Sequence, residues 1–103
     1  MLATISAKDM SIIEHFAHYV WWEKPHEIIE SNPLRVVASA MRYANTIQEY
    51  AILIKLDKNI LRKTLKEAQA GWIDSKSWHY WHIILYGKNA IIPTLPKRKF
   101  MKD

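Results

Sequence analysis

Histidine is the residue type in this sequence best suited to catalysis or metal binding, and four of the five histidines form two pairs. His15 and His18 stand three residues apart, as do His79 and His82, and His26 follows the first pair. Two residues at this spacing on a helix can reach one metal ion. A convincing site needs a third ligand, usually a carboxylate, and no HExxH-type motif supplies one. We therefore predict no metal ligands and keep a histidine-based metal-binding protein as an alternative.

The sequence contains no motif for nucleophilic catalysis or for phosphate binding. There is no cysteine, which excludes thiol catalysis, disulfides and cysteine-based zinc sites. No GxSxG elbow is present. The only glycines are Gly71 and Gly87, so no glycine-rich phosphate loop can form. The sequence predicts a protein that is not an enzyme, with no catalytic residue and no bound cofactor.

The segment 75–86, SKSWHYWHIILY, is the most aromatic part of the chain. On a helical wheel Trp78 and Trp81 share a face with His82, whereas His79 points elsewhere, so this histidine pair diverges. One interpretation is a core helix whose polar tips are satisfied locally. Another is that one face is left for a protein partner, because Trp and Tyr dominate interface hot spots. Stacking on single-stranded bases is a weaker third interpretation, since aliphatic residues surround the aromatics.

Helix-capping signals mark the elements that must position these side chains. Ser6–Asp9 and Thr46–Glu49 are capping boxes, and Pro25 and Pro33 suit the first position of a helix. The predicted helices run from Ser6 to about Val20, Pro25 to about Glu30, Pro33 to about Ala44, Thr46 to about Leu56, Asp57 to Gly71, and Ser75 to Gly87.

The periodicity of these helices also predicts the core. In the third helix we expect Arg35, Ser39 and Arg42 to face outward. Apolar residues nearly encircle the fourth helix, which predicts a central position for it. The expected core contains Trp78, Trp81, Leu85, Ile47, Tyr50, Ile54 and Val37.

Length and composition favour one all-α domain. The chain has 103 residues, half of them apolar, with only two glycines for tight hairpin turns. We predict a compact bundle of five to six short helices over residues 1–88, followed by an extended basic tail over residues 89–103. The N-terminus lacks the pattern of a signal peptide, and no apolar run approaches the length of a membrane span. We expect a cytoplasmic protein that does not contact membranes.

Positive charge is concentrated at the C-terminal end. The formal net charge is +5, and Lys97, Arg98, Lys99 and Lys102 supply much of the excess. This distribution admits an alternative function, a small helical nucleic-acid-binding protein.

Several amphipathic residues stand where a protein partner could contact them. Trp21, Trp22 and Trp72 occur at predicted helix ends rather than within buried stripes, a position that suits an interface. The tail adds a basic strip with one aromatic anchor. The predicted partner-binding residues are Trp21, Trp22, Trp72, Lys97, Arg98, Lys99 and Phe100.

The order of several motifs is similar to that of a known group of proteins. The motifs are Trp21-Trp22, Pro33-Leu-Arg-Val-Val, Ile60-Leu-Arg-Lys-Thr-Leu65, Ser75-Lys-Ser-Trp-His-Tyr-Trp-His82 and Leu95-Pro-Lys-Arg-Lys-Phe100. From Val20 to Phe100 the chain resembles small uncharacterised bacterial proteins encoded beside nucleotidyltransferase toxins of the abortive-infection AbiEii type. The resemblance implies an antitoxin-like companion that binds the nucleotidyltransferase, and it implies no activity.

Overall fold

The computed structural model describes residues 5–20, 24–44 and 46–96, and these residues form helices and no strand. The predicted all-α fold is therefore confirmed. None of the helices in these ranges is both long enough and apolar enough to cross a membrane. The helices are α1 (Ala7–His15), a 3-10 helix (Ala17–Val20), α2 (Pro25–Ser31), α3 (Pro33–Tyr43), α4 (Ile47–Leu53), α5 (Lys58–Glu67) and α6 (Ser75–Tyr86).

Helices begin where the capping residues predict. The Ser6 hydroxyl accepts a hydrogen bond from the Asp9 amide at 3.1 Å, and the Thr46 hydroxyl accepts one from the Glu49 amide at 3.2 Å. Asp57 caps α5 by accepting from the Asn59 amide at 2.8 Å. These contacts are local, which is why the sequence alone locates them.

The Asp9 carboxylate also joins two helix starts that are distant in sequence. One oxygen accepts from the Ser6 hydroxyl at 2.9 Å, and the other accepts from the Asp57 amide at 3.2 Å. The Asp9 side chain is buried. The carboxylate therefore ties the N-terminus of α1 to the N-terminus of α5.

Three helices end earlier than predicted. Helix α1 stops at His15, and the chain tightens after Phe16 into the 3-10 helix. Helix α4 stops at Leu53, where two successive i to i+3 backbone hydrogen bonds replace the α-helical pattern. Helix α5 stops at Glu67 because the next residue is extended, with ψ at 137°. Helix α6 ends as predicted, before Gly87 at a φ of 101°.

Helix α3 is the centre of the molecule. It packs against α1, the 3-10 helix, α2, α5 and α6, and every residue from Val36 to Met41 is buried. The prediction that Ser39 faces outward is wrong, because neighbours surround α3 on nearly all sides. The Ser39 hydroxyl is satisfied inside the protein by the Arg35 guanidinium at 2.8 Å.

Helix α4 lies at the edge of the bundle, so its predicted central position is wrong. Leu53 is its one buried residue, whereas Ile47 is 85% exposed and Ile54 is 47% exposed. Tyr50 is half-buried. A helix of seven residues offers few inward positions, and the apolar residues beyond them remain at the surface.

Helix α6 is held to the rest of the fold by its two tryptophans. The Trp81 indole donates to the Met41 carbonyl of α3 at 2.9 Å, and the Trp78 indole donates to the Pro93 carbonyl at 2.8 Å. Trp78, Trp81, Leu85 and Val37 are buried as predicted. The described part of the predicted tail, residues 89–96, has no regular structure, and its Ile92 and Leu95 pack against the core.

Candidate partner-binding surface

Only one of the predicted partner-binding residues lies in the described part of the chain. Trp72 is half-buried and packs against the core, with the Arg35 guanidinium 5.6 Å from its ring centroid. Trp72 is therefore partly available for a partner and partly structural. The remaining predicted residues lie outside the described ranges: Trp21, Trp22, Lys97, Arg98, Lys99 and Phe100.

A different set of apolar side chains is exposed on α4 and α6. Ile54, Tyr80 and Ile84 are each 45–47% exposed, beside the more exposed Ile47 and the half-buried Tyr50. The hydroxyls of Tyr50 and Tyr80 are 3.0 Å apart and join the two helices. Residues three and four apart on a helix share a face, so these five residues form one surface. We call it the α4–α6 face.

The buried Trp81 indole supports the two tyrosines of the α4–α6 face from behind. The Tyr50 ring centroid is 5.7 Å from that of Trp81, and the Tyr80 ring meets the same indole edge-on at 5.6 Å. The hydrogen bond with Tyr80, then burial and the Tyr80 charge, raise the pKa of Tyr50 to about 12. The Tyr50 hydroxyl consequently stays neutral at physiological pH. The face presents aromatic and aliphatic groups whose positions are already fixed.

The sequence left a partner role for α6 open as one of three interpretations, and it indicated no contribution from α4. Tyr80 and Ile84 were not among the predicted partner-binding residues. The exposure of Ile47 and Ile54 depends on where α4 packs, because the hydrophobicity of these residues alone predicts that they are buried.

A polar cluster around Glu49 lies where α4 meets α1. One carboxylate oxygen is 2.8 Å from the His15 Nε2 atom. The other accepts from the Tyr19 hydroxyl at 3.2 Å and is 3.9 Å from the His18 Nε2 atom. Glu49 follows His15 by 34 residues, so no local motif could identify this pairing.

The cluster changes the acid–base properties of its members. The His15 hydrogen bond lowers the pKa of Glu49, with smaller contributions from Tyr19 and His18, and burial opposes this effect. Burial raises the pKa of Tyr19, and the adjacent Glu49 charge raises it further. The carboxylate therefore remains ionised.

The hydrogen bonds of this cluster already engage ring nitrogens of His15 and His18, the atoms that would have to bind a metal ion or transfer a proton in a reaction. The His18 Nδ1 atom is 3.0 Å from the His15 carbonyl oxygen, and the His15 Nε2 atom contacts Glu49. Within the described residues, no group of three or more His, Asp or Glu side chains could hold a metal ion. In the same ranges no Ser or Thr hydroxyl bonds to either imidazole, so no nucleophilic triad is assembled.

The second histidine pair diverges, as the helical wheel predicts. His79 is exposed, whereas His82 is 4% exposed, and its Nδ1 atom is 2.7 Å from the Trp78 carbonyl oxygen. The two side chains face different environments and cannot share a ligand.

No protein-family model, curated protein sequence or solved structure matches this chain. The α4–α6 face and the residues around it are therefore the features from which a function can be inferred.

The arginines of the described ranges contact groups within the molecule. Arg42 donates to the Gly71 carbonyl at 2.9 Å and lies over the Tyr43 ring at 5.1 Å. Arg62 donates to the Leu85 carbonyl at 3.1 Å and lies over a neighbouring aromatic ring. Arg35 bonds to Ser39 as described above. These contacts favour a structural role for arginines that the nucleic-acid alternative would assign to phosphate binding.

Proposed function

We propose that this protein is a non-enzymatic interaction protein and that the α4–α6 face is its partner-binding surface. The observation that carries the proposal is the exposure of Ile47, Ile54, Tyr80 and Ile84 on two segments that the Tyr50–Tyr80 contact joins over the buried Trp81 indole. Contiguous apolar surface of this kind marks interaction sites on small proteins. Tyrosine adds a polar tip that can bond to a partner while its ring is buried.

The proposed partner is a nucleotidyltransferase toxin of the AbiEii type, in the bacterial cytoplasm. This part of the proposal is supported by the resemblance described for residues 20–100. An antitoxin-like companion needs to cover the toxin or hold it inactive, and binding alone achieves either. The proposal therefore requires no catalytic residue and no cofactor.

Charge and apolar contact have separate roles in the proposed complex. The net charge of +5 would accelerate association with an acidic partner surface. Burial of Tyr80, Ile84 and Ile54 would supply the affinity, because apolar anchors at the centre of an interface carry most of the binding energy. Salt should accordingly slow association more than it accelerates dissociation.

The experiment that tests the proposal is a binding measurement on variants of the co-expressed complex. Ile84→Lys places a charge on the α4–α6 face and should weaken binding at least tenfold, which is the range of hot-spot substitutions. Ile91→Lys is the matched control, because Ile91 is 96% exposed and lies outside this face. It should leave the dissociation constant within about threefold.

Either of two results would overturn the proposal. One is equal binding by the Ile84→Lys variant and the wild type, with both shown to be folded by circular dichroism. The other is failure to recover any complex with the co-expressed toxin.

A further inference from the structure

A cleft of about 430 Å³ lies between α5, α6 and the segment that follows α6. Its volume falls within the range of about 300–1,000 Å³ typical of small-molecule sites. Tyr80 and Ile84 are not among its lining residues, so the cleft is separate from the α4–α6 face. The side chains that matter for recognition are His82, Trp78, Tyr86, Lys66, Pro93 and Thr94.

His82 presents an unused acceptor to this cleft. Its Nδ1 atom is 2.7 Å from the Trp78 carbonyl oxygen, and a carbonyl can only accept, so Nδ1 carries the proton. In the neutral ring Nε2 is then an acceptor. No residue in the described ranges forms a hydrogen bond with Nε2. His82 as a whole is 4% exposed, but Nε2 itself is not sealed from solvent and is reached from the cleft. An accessible acceptor without a protein partner can accept a hydrogen bond from a ligand.

The walls of the cleft suit a flat ring. The His82 ring centroid is 4.4 Å from that of Trp78 and 6.0 Å from that of Tyr86, with the latter pair stacked at 25°. Pro93 adds an apolar surface from the segment after α6, and the Trp78 indole fixes it by donating to its carbonyl at 2.8 Å. The indole donor is thus already used, and Tyr86, which is 52% exposed, is the lining aromatic residue whose ring is open to stacking by a ligand.

The charge around the cleft favours an anion. Lys66 is the one formally charged side chain among the lining residues in the described ranges, and no carboxylate lines the cleft. Lys66 is exposed, so its ammonium group can turn toward a ligand at the cleft mouth. An acidic group on the ligand would be attracted there, and a cationic ligand would be repelled.

We infer that this cleft binds a small planar aromatic molecule that carries a hydrogen-bond donor on its ring and an acidic group beside it. The ring donor bonds to His82 Nε2, the ring stacks against the aromatic wall, and the acidic group pairs with Lys66. Binding of this ligand is a function additional to the protein-partner interaction and does not depend on it.

Indole-3-acetate is the probe that tests this inference, because it combines a planar ring, an N–H donor and a carboxylate. Calorimetric titration of the full chain should show saturable one-to-one binding with a dissociation constant of about 1 mM or tighter. 1-Methylindole-3-acetate lacks the donor and should bind about tenfold more weakly to the same wild-type protein.

Variants of the cleft provide the second part of the test. His82→Asn keeps a donor near the Trp78 carbonyl and removes the Nε2 acceptor, so binding of indole-3-acetate should weaken about tenfold. Lys66→Gln should weaken binding of indole-3-acetate about threefold and remove most of the dependence of this binding on salt concentration. His79→Asn, at the exposed histidine of the same helix, should bind as the wild type does.

The outcome that would overturn the inference can be read from the wild-type protein alone. It is either no saturable binding of indole-3-acetate at concentrations up to about 10 mM, or equal binding of the methylated and unmethylated probes. Since these comparisons need no variant, any misfolding of His82→Asn leaves the inference falsifiable.

Discussion

Glu49 takes part in the N-terminal cap of α4 and also connects α4 to other helices. Its amide is capped by Thr46, as the capping box predicts, but its carboxylate bonds to His15 and Tyr19 instead of closing the box. These bonds attach α4, which buries little apolar surface, to α1 and the 3-10 helix. A capping residue thereby becomes a link between elements.

The first prediction concerns the pH dependence of this link. The pKa of Glu49 lies below its ordinary value of 4.5 in the folded protein. Ionised Glu49 therefore stabilises the fold at pH values above 4.5, and this stabilisation is lost as the pH falls through the lowered value. Glu49→Gln should lower the thermal midpoint near pH 6, and the difference from wild type should shrink as the pH approaches 3.

Glu14→Gln serves as the control for this titration, because Glu14 is exposed on α1. The thermal midpoint of the Glu14→Gln variant should equal that of the wild type at every pH between 6 and 3. A Glu49→Gln difference that stays constant between pH 6 and pH 3 would show that the carboxylate charge does not act through this link.

At the scale of elements, the positions where helices begin could be predicted and their packing could not. Ser6, Thr46 and Asp57 bond to amides two or three residues away, so the information is in the neighbouring sequence. Three helix ends were not predicted, because the backbone leaves the α-helical conformation after His15, Leu53 and Glu67 although the apolar pattern continues. The apolar residues of α4 predicted a central helix, but the centre is occupied by α3.

The buried face of α6 was predictable because its pattern is dense and unambiguous. Trp78, Trp81 and Leu85 follow the spacing of one helical stripe, and all three are buried. The hydrogen bonds from the two indoles to Met41 and Pro93 were not predictable, since both acceptors are backbone carbonyls distant in sequence.

The second prediction tests how strongly α6 is anchored to α3. Trp81→Ala removes a buried side chain and its bond to the Met41 carbonyl, and it should lower the free energy of unfolding by roughly 3–5 kcal/mol. His79→Ala, on the exposed side of the same helix, should change it by less than about 0.5 kcal/mol. Denaturant unfolding followed by circular dichroism measures both. A loss below about 1 kcal/mol for Trp81→Ala would contradict the anchoring role.

For the molecule as a whole, the structure has a central helix, a shell of short helices and two separate surface features. Its radius of gyration of 13.5 Å is close to the roughly 13 Å expected of a compact domain of this length. The α4–α6 face and the cleft beside α5 lie on different sides of α6. One helix can therefore support a protein interface on one side and a small-molecule site on the other.

The sequence predicted only part of the candidate site. A partner role for exposed aromatics was inferred from the number of tryptophans and their positions at helix ends. Trp72 is partly exposed, but the clearest exposed set is Tyr80, Ile84, Ile54 and Ile47. Two of these were expected in the core, because a short apolar helix at the edge of a bundle has the same sequence pattern as a central one.

We propose that the α4–α6 face binds a nucleotidyltransferase toxin of the AbiEii type. Hydrogen–deuterium exchange of the full chain, alone and in the co-expressed complex, tests it most directly. We predict slower exchange in the complex for amides of α4 and α6, over residues 47–56 and 78–86, with α2 unchanged. Failure to form a complex, or protection confined to α2 with none on α4 and α6, would contradict the proposed interaction.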